Sequence, residues 1–269
     1  RWRGLTYTDM PTAVTVGNDF GRIPELTDKL AQGVANTVAL SRLIVEGELF
    51  DAPVFGGVAD TSQVFYYGIS LGGIQGAVFL ALDSNVEHGV LHVGGSSWST
   101  MLERSSHWST FEVLVRSAFP SATDRQHLYA LSQLFWDVSD PASFVNELET
   151  RSVLWQEAIG DEQVANLSTE LLMRGIGAPV LSPAANVPPL VEEASSPTVG
   201  PVLVQFDPEV SVPAAENRPA EITGAHDLPR HWEGQHAQVL RFLDPEDPGV
   251  VEHFCGETVC SASNTGSSE

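Results

Sequence analysis

The stretch Phe65-Tyr66-Tyr67-Gly68-Ile69-Ser70-Leu71-Gly72-Gly73-Ile74-Gln75-Gly76 holds a serine between glycines where the hydrophobic pattern changes. Val64 to Ile69 is short, aromatic and β-branched, which predicts a buried strand. Ile74, Ala77, Val78, Leu80 and Ala81 leave little polar surface, which predicts a buried helix to Leu82. A strand that turns at once into a helix strains the backbone at the serine, and small neighbours let the two elements approach. Gly68-Ile69-Ser70-Leu71-Gly72 has that form, with Gly73 and Gly76 packing behind it. The Ser70 hydroxyl is then exposed at the carboxyl edge of a sheet, and the Leu71 N–H can donate to an oxyanion. The bland alternative is a tight turn without chemistry; the strand before and the helix after favour the reactive reading.

Outward from this turn, strands and helices alternate. Apolar residues near helical spacing predict a helix over 21–50, with Pro24 in its first turn. His88 to Val93, Ser152 to Ile159 and Pro201 to Phe206 predict three further buried strands. Val164 to Ile176 and Leu228 to Leu243 read as helices, the last with Trp232, His236, Val239, Leu240 and Leu243 on one stripe. The alternation predicts an α/β fold with a mostly parallel sheet. From Ser96 to Thr150 the pattern changes to helix-like stretches rich in aromatics, expected as an insertion with exposed aromatic side chains. The expected organisation is a core from 1–95 and 151–250, an insertion over 96–150, and a tail over 251–269 that is low in complexity and disordered from Ser261 onward.

Composition narrows the partners. The 269 residues carry a net charge of −22, and Lys29 is the one lysine. Nucleic acid is an unfavourable partner, because phosphate binding needs clustered Lys and Arg. No apolar run approaches the ~20 residues that span a bilayer. The chain opens at Arg1 with neither an initiating methionine nor a signal peptide, so it is expected to be processed, truncated or cut from something longer. Cys255 and Cys260 can close as a disulfide, stay as two thiols, or join His253 at a metal; the disulfide is favoured and points to a secreted or periplasmic protein.

A serine hydroxyl needs a base, and a base needs an orienting carboxylate. Asp161 directly follows the strand "SVLWQEAIG", at the edge where open α/β sheets place working groups. Its neighbour Glu162 is the rival, and an N-cap role is the bland reading of Asp161. His226, in the loop "TGAHDLPRHW", is the favoured base; His231 falls near the first turn of the last helix, and His236 on that helix's stripe reads as a core residue. His88, His92, His107, His127 and His253 form no metal-ligand spacing, and no phosphate loop or dinucleotide fingerprint occurs. Neither a metal nor an organic cofactor is expected.

With "GISLGG" around Ser70, "EAIGDEQV" around Asp161 and "GAHDLPR" around His226, the region from about Gly21 to Leu243 resembles the C-terminal two-thirds of an α/β-hydrolase of the esterase and lipase type. The resemblance implies a carboxylic ester hydrolase in which Ser70 attacks, His226 moves the proton, Asp161 orients His226 and Leu71 N–H serves the oxyanion. It implies that 96–150 is a helical cap over an apolar acyl or aryl pocket. It also implies departures. The opening "RWRGLTYTD" resembles the end of a sheet strand, but the family's earlier strands and the loop bearing a second oxyanion donor do not precede Ser70. The sheet would then be N-terminally truncated. A bound second chain could complete it, the chain could dimerise, or it could be a non-catalytic remnant.

Overall fold

A computed structural model describes residues 10–46, 49–56 and 59–265. The first helices are α1 (Met10–Asn18) and α2 (Pro24–Val45). The serine strand β1 (Phe65–Ile69) runs into α3 (Leu71–Leu82) and then β2 (His88–His92). A helical stretch follows, with α4 (Trp98–Met101), α5 (Ser109–Ala118), α6 (Ala122–Trp136) and α7 (Val145–Leu148). Next come β3 (Ser152–Ala158), α8 (Asn166–Ile176), the short strands β4 (Val180–Leu181), β5 (Glu193–Ala194) and β6 (Thr198–Val199), and β7 (Val202–Asp207). The chain continues through α9 (Glu233–Phe242), β8 (Val250–Val251) and β9 (Cys260–Ser261).

These elements form an α/β fold. The seven-stranded sheet runs β1-β2-β3-β7-β4-β5, with β9 also against β7, and its strand pairs are parallel. β6 and β8 pair antiparallel apart from it. Register explains why the central strands carry runs of consecutive apolar residues. Leu91, Trp155 and Leu203 align in one row and enter the core under α3 and α8. The adjacent row, Val90, Leu154 and Val202, faces the opposite layer with Trp232, Phe242 and the cysteines. A parallel sheet covered on both faces needs apolar side chains at successive positions, not alternation.

Several expectations need correcting. The stripe expected on the last helix is buried only in part: Trp232 is buried and Val239 and Leu243 pack against the core, but His236 is exposed, its Nε2 lies 2.7 Å from the Arg230 carbonyl, and Leu240 is exposed. Gln235, Gln238 and Phe242 are buried as well, and Gln235 and Gln238 have polar partners beneath them. In 96–150 the aromatics are mostly inside: Trp98, Trp108, Tyr129 and Trp136 are buried, while Phe135 is exposed. Trp98 stacks on Trp136, and Trp108 donates from Nε1 to Tyr129 Oη at 3.1 Å, so these rings fill a core with α1 and α2. Ser261 is ordered in β9, and Ser261 and Asn264 bridge; residues 266–269 lie outside the described ones. The reading of Arg1 to Asp9 also falls outside the described residues. Cys255 and Cys260 form a disulfide, with Cα atoms 5.1 Å apart. No described helix is long and apolar enough to cross a membrane.

Candidate active site

Ser70 sits between β1 and α3 with φ 57° and ψ −122°, a left-handed conformation that costs a non-glycine residue energy. The strain is held from both sides. Ser70 N donates to the His92 carbonyl at 2.9 Å, and Ser70 O accepts from Gly73 N at 2.7 Å and Ile74 N at 3.0 Å. Tyr66 Oη donates to the Gly72 carbonyl at 2.8 Å, and burial keeps that phenol protonated by raising its pKa to about 12. The flanking glycines are needed for close approach: a Cβ at Gly68 would lie 2.2 Å from the Gly72 oxygen. Leu71 opens α3, so its N–H has no intrahelical acceptor and points from the positive end of the helix dipole.

Asp161 follows β3 through Gly160, whose φ of 79° turns the chain. Asp161 Oδ1 accepts from Gln163 N and Val164 N, both at 2.8 Å. The His226 ring approaches the same carboxylate, with Nδ1 at 2.8 Å from Oδ2 and 3.0 Å from Oδ1. Both side chains are buried. Burial pushes the Asp161 carboxyl above its ordinary value, while His226 and the two backbone N–H groups favour the carboxylate. Asp161 therefore orients the ring and closes its own loop through Gln163 and Val164, but it does not cap α8, whose N-terminus at Ala165 has no side-chain hydrogen bond.

Glu162, the rival, does something else. Its Oε2 accepts from Thr223 Oγ1 at 3.1 Å and from the His226 backbone N at 3.3 Å. It fixes the loop, and Asp161 meets the ring. Burial opposes its ionisation, but the hydrogen bonds outweigh it and lower the pKa.

The structure thus joins Asp161 and His226. It leaves Ser70 at the end of β1, with β2 lying between β1 and β3, and the described residues include no hydrogen bond from Ser70 Oγ to His226. Apo catalytic hydrogen bonds are often long and tighten with substrate. Ser70 borders a cleft of about 590 Å³, lined also by Leu30, Val34, Tyr67, Leu71 and Arg230. Arg230 follows His226 by four residues and donates from Nη2 to the His226 carbonyl at 3.3 Å. An apolar cavity of about 180 Å³ between α1, α2 and residues of 96–150 shares Leu30 with the cleft.

Sequence reasoning missed a buried polar chain behind the cleft. Gln156 Oε1 takes His92 Nδ1 at 3.1 Å and Gln235 Nε2 at 2.7 Å, and Gln235 Nε2 also reaches Tyr67 Oη at 3.3 Å. Burial lowers the His92 pKa to about 3, so its imidazole is neutral. The available signal was a register pair: His92 and Gln156 are polar residues directly opposed on neighbouring buried strands. Among the described residues, no cluster of three or more His, Cys, Asp or Glu could hold a metal.

No protein-family model matches the chain, and no match to it is found among curated proteins or among solved structures.

Proposed function

We propose that this chain is a serine hydrolase of the α/β-hydrolase type that cleaves carboxylic esters through an acyl-enzyme, with 96–150 as its cap. The observation that carries the reading is a strained serine at a strand-to-helix turn on the same sheet edge as a buried Asp–His pair. His226 Nε2 takes the Ser70 proton as Oγ attacks the ester carbonyl, then gives it to the leaving alkoxide. Asp161 keeps the His226 proton on Nδ1 and stabilises the imidazolium. Leu71 N–H faces the oxyanion, and water then repeats the attack on the acyl group. The reaction needs no cofactor. The disulfide supports a secreted or periplasmic setting.

Hydrolysis of p-nitrophenyl acetate and butyrate, beside Ser70→Ala, tests this. Loss of about 10,000-fold or more in kcat is expected from the variant. Equal rates in the two proteins, or a folded chain that neither hydrolyses esters nor reacts with a fluorophosphonate, would sink it.

A second reading is favoured by one observation. Among the described residues β1 pairs only with β2, so the serine strand is a sheet edge. Exposed edges recruit strands. A second chain could complete the sheet there, as a partner segment or a second copy, and supply the other oxyanion donor. With one donor alone, rates would fall by about 100- to 1,000-fold. A sedimentation mass equal to one chain, with full esterase activity, would remove this reading.

A further inference from the structure

We infer that the cleft beside Ser70 selects esters that also carry a carboxylate, held by the Arg230 guanidinium; the inference rests on Ser70 being the reacting group. Among the residues lining the cleft, Arg230 is the one charged side chain, and the rest are apolar or neutral. The side chain is 26% exposed and three of its nitrogens are unevenly used. Nη2 pairs with Asp227 Oδ1 at 2.5 Å and donates to the His226 carbonyl. Nε is buried without a partner, and the described residues give Nη1 no acceptor. Asp227 is itself 59% exposed, and an ion pair of that kind contributes little against water. Nη1 is therefore left for an arriving carboxylate, and Nη2 joins it when the weak Asp227 pair yields; Nε is closed to solvent and takes no part.

The chemistry of the donor selects the ligand. A guanidinium fork matches a planar carboxylate through parallel charge-assisted hydrogen bonds. One cation in an otherwise neutral cleft matches one negative charge. A doubly charged phosphate would meet the same single cation on a chain of net charge −22, where long-range repulsion opposes it. The charge of Arg230 also reaches the cleft wall: burial raises the Tyr67 phenol's pKa, while the Gln235 hydrogen bond and Arg230 draw it back down. Arg230 lies just after the loop that holds His226, so a carboxylate on it would tether the substrate close to the reacting groups.

Two esters of similar size test this, neutral p-nitrophenyl butyrate and anionic mono-p-nitrophenyl glutarate. The ratio of their kcat/KM values is read in the unaltered chain, Arg230→Met and Arg230→Lys. The ratio should favour the anionic ester in the unaltered chain. It should fall by about 10- to 100-fold in Arg230→Met and recover in part in Arg230→Lys. A residue that merely braced the His226 loop would lower both rates alike and leave the ratio where it was, which overturns the inference. A calorimetric titration of Ser70→Ala with glutaramate, which carries one carboxylate, and with the neutral glutaric diamide reads binding without hydrolysis. Tighter binding of glutaramate supports the Arg230 site, and equal affinities overturn it, whether or not Arg230→Met folds. If neither ester is hydrolysed, the serine reading fails while this titration still decides the anion site.

Discussion

Glu157 and Asp161 stand four residues apart at the end of β3, both almost wholly buried, and they are held in different ways. Asp161 meets an imidazole and two backbone N–H groups. Glu157 accepts from Gln205 Nε2 at 3.0 Å, has the Glu170 charge nearby, and leaves Oε1 without a partner. Burial raises both carboxyls, and at Glu157 the pKa reaches about 8. Equal burial therefore meets unequal sets of donors: an imidazole and two backbone N–H groups favour the Asp161 carboxylate, whereas at Glu157 one oxygen has no partner and the Glu170 charge opposes ionisation.

The sharpest way to break this contrast is Asp161→Asn, which keeps the shape and removes the charge. We expect kcat to fall by about 10,000-fold with the fold retained; an activity loss under about tenfold would deny Asp161 its role. Glu157→Gln should spare most activity and change stability instead. The folded chain keeps the Glu157 proton up to about pH 8, whereas an ordinary carboxyl, as in the unfolded chain, releases it near 4.5. The group's contribution is therefore fully present below about pH 4.5, declines as the pH rises, and levels off above about pH 8. Urea unfolding at the two ends of that window should show the variant's pH-dependent loss smaller than the parent's by roughly 5 kcal/mol. Parallel pH profiles for the two proteins would mean that Glu157 ionises freely.

A control far from both carboxylates sharpens the same comparison. Replacing Cys255 and Cys260 with serine opens a short loop and should cost about 2 kcal/mol. That loss should be the same at every pH, so a pH-dependent loss would show coupling to the carboxylates. The smallest effect is expected for Glu162→Gln, which keeps an acceptor for Thr223 and the His226 backbone. A decrease of about tenfold in kcat/KM is expected from weakening charge-assisted hydrogen bonds. A loss as large as that of Asp161→Asn would make Glu162 an equal partner of the ring.

Much of the sheet was legible because buried parallel strands carry continuous apolar runs. Val90-Leu91 and Val153-Leu154-Trp155 announce themselves whatever surrounds them. The two-residue strands β4, β5 and β9 were not legible, since a pair of residues has no period to read. The buried face of α9 misled for another reason. Hydrophobic periodicity assumes that the core is apolar, and here Gln235 and Gln238 are inside because Gln156 is there to bond them. The same assumption pushed the aromatics of 96–150 outward, although Trp98, Trp136 and Tyr129 were able to bury one another.

By itself the sequence determined the α/β alternation and the turn at Ser70. Both arise from local causes: side-chain period along a segment, and the small glycines that let a strand meet a helix. Only the tertiary structure decided that Asp161 faces the His226 ring while Glu162 holds its backbone, and that Arg230 enters the serine cleft. Those outcomes join residues more than sixty positions apart, and neighbouring carboxylates of equal chemistry are told apart only by the direction in which the folded backbone points them.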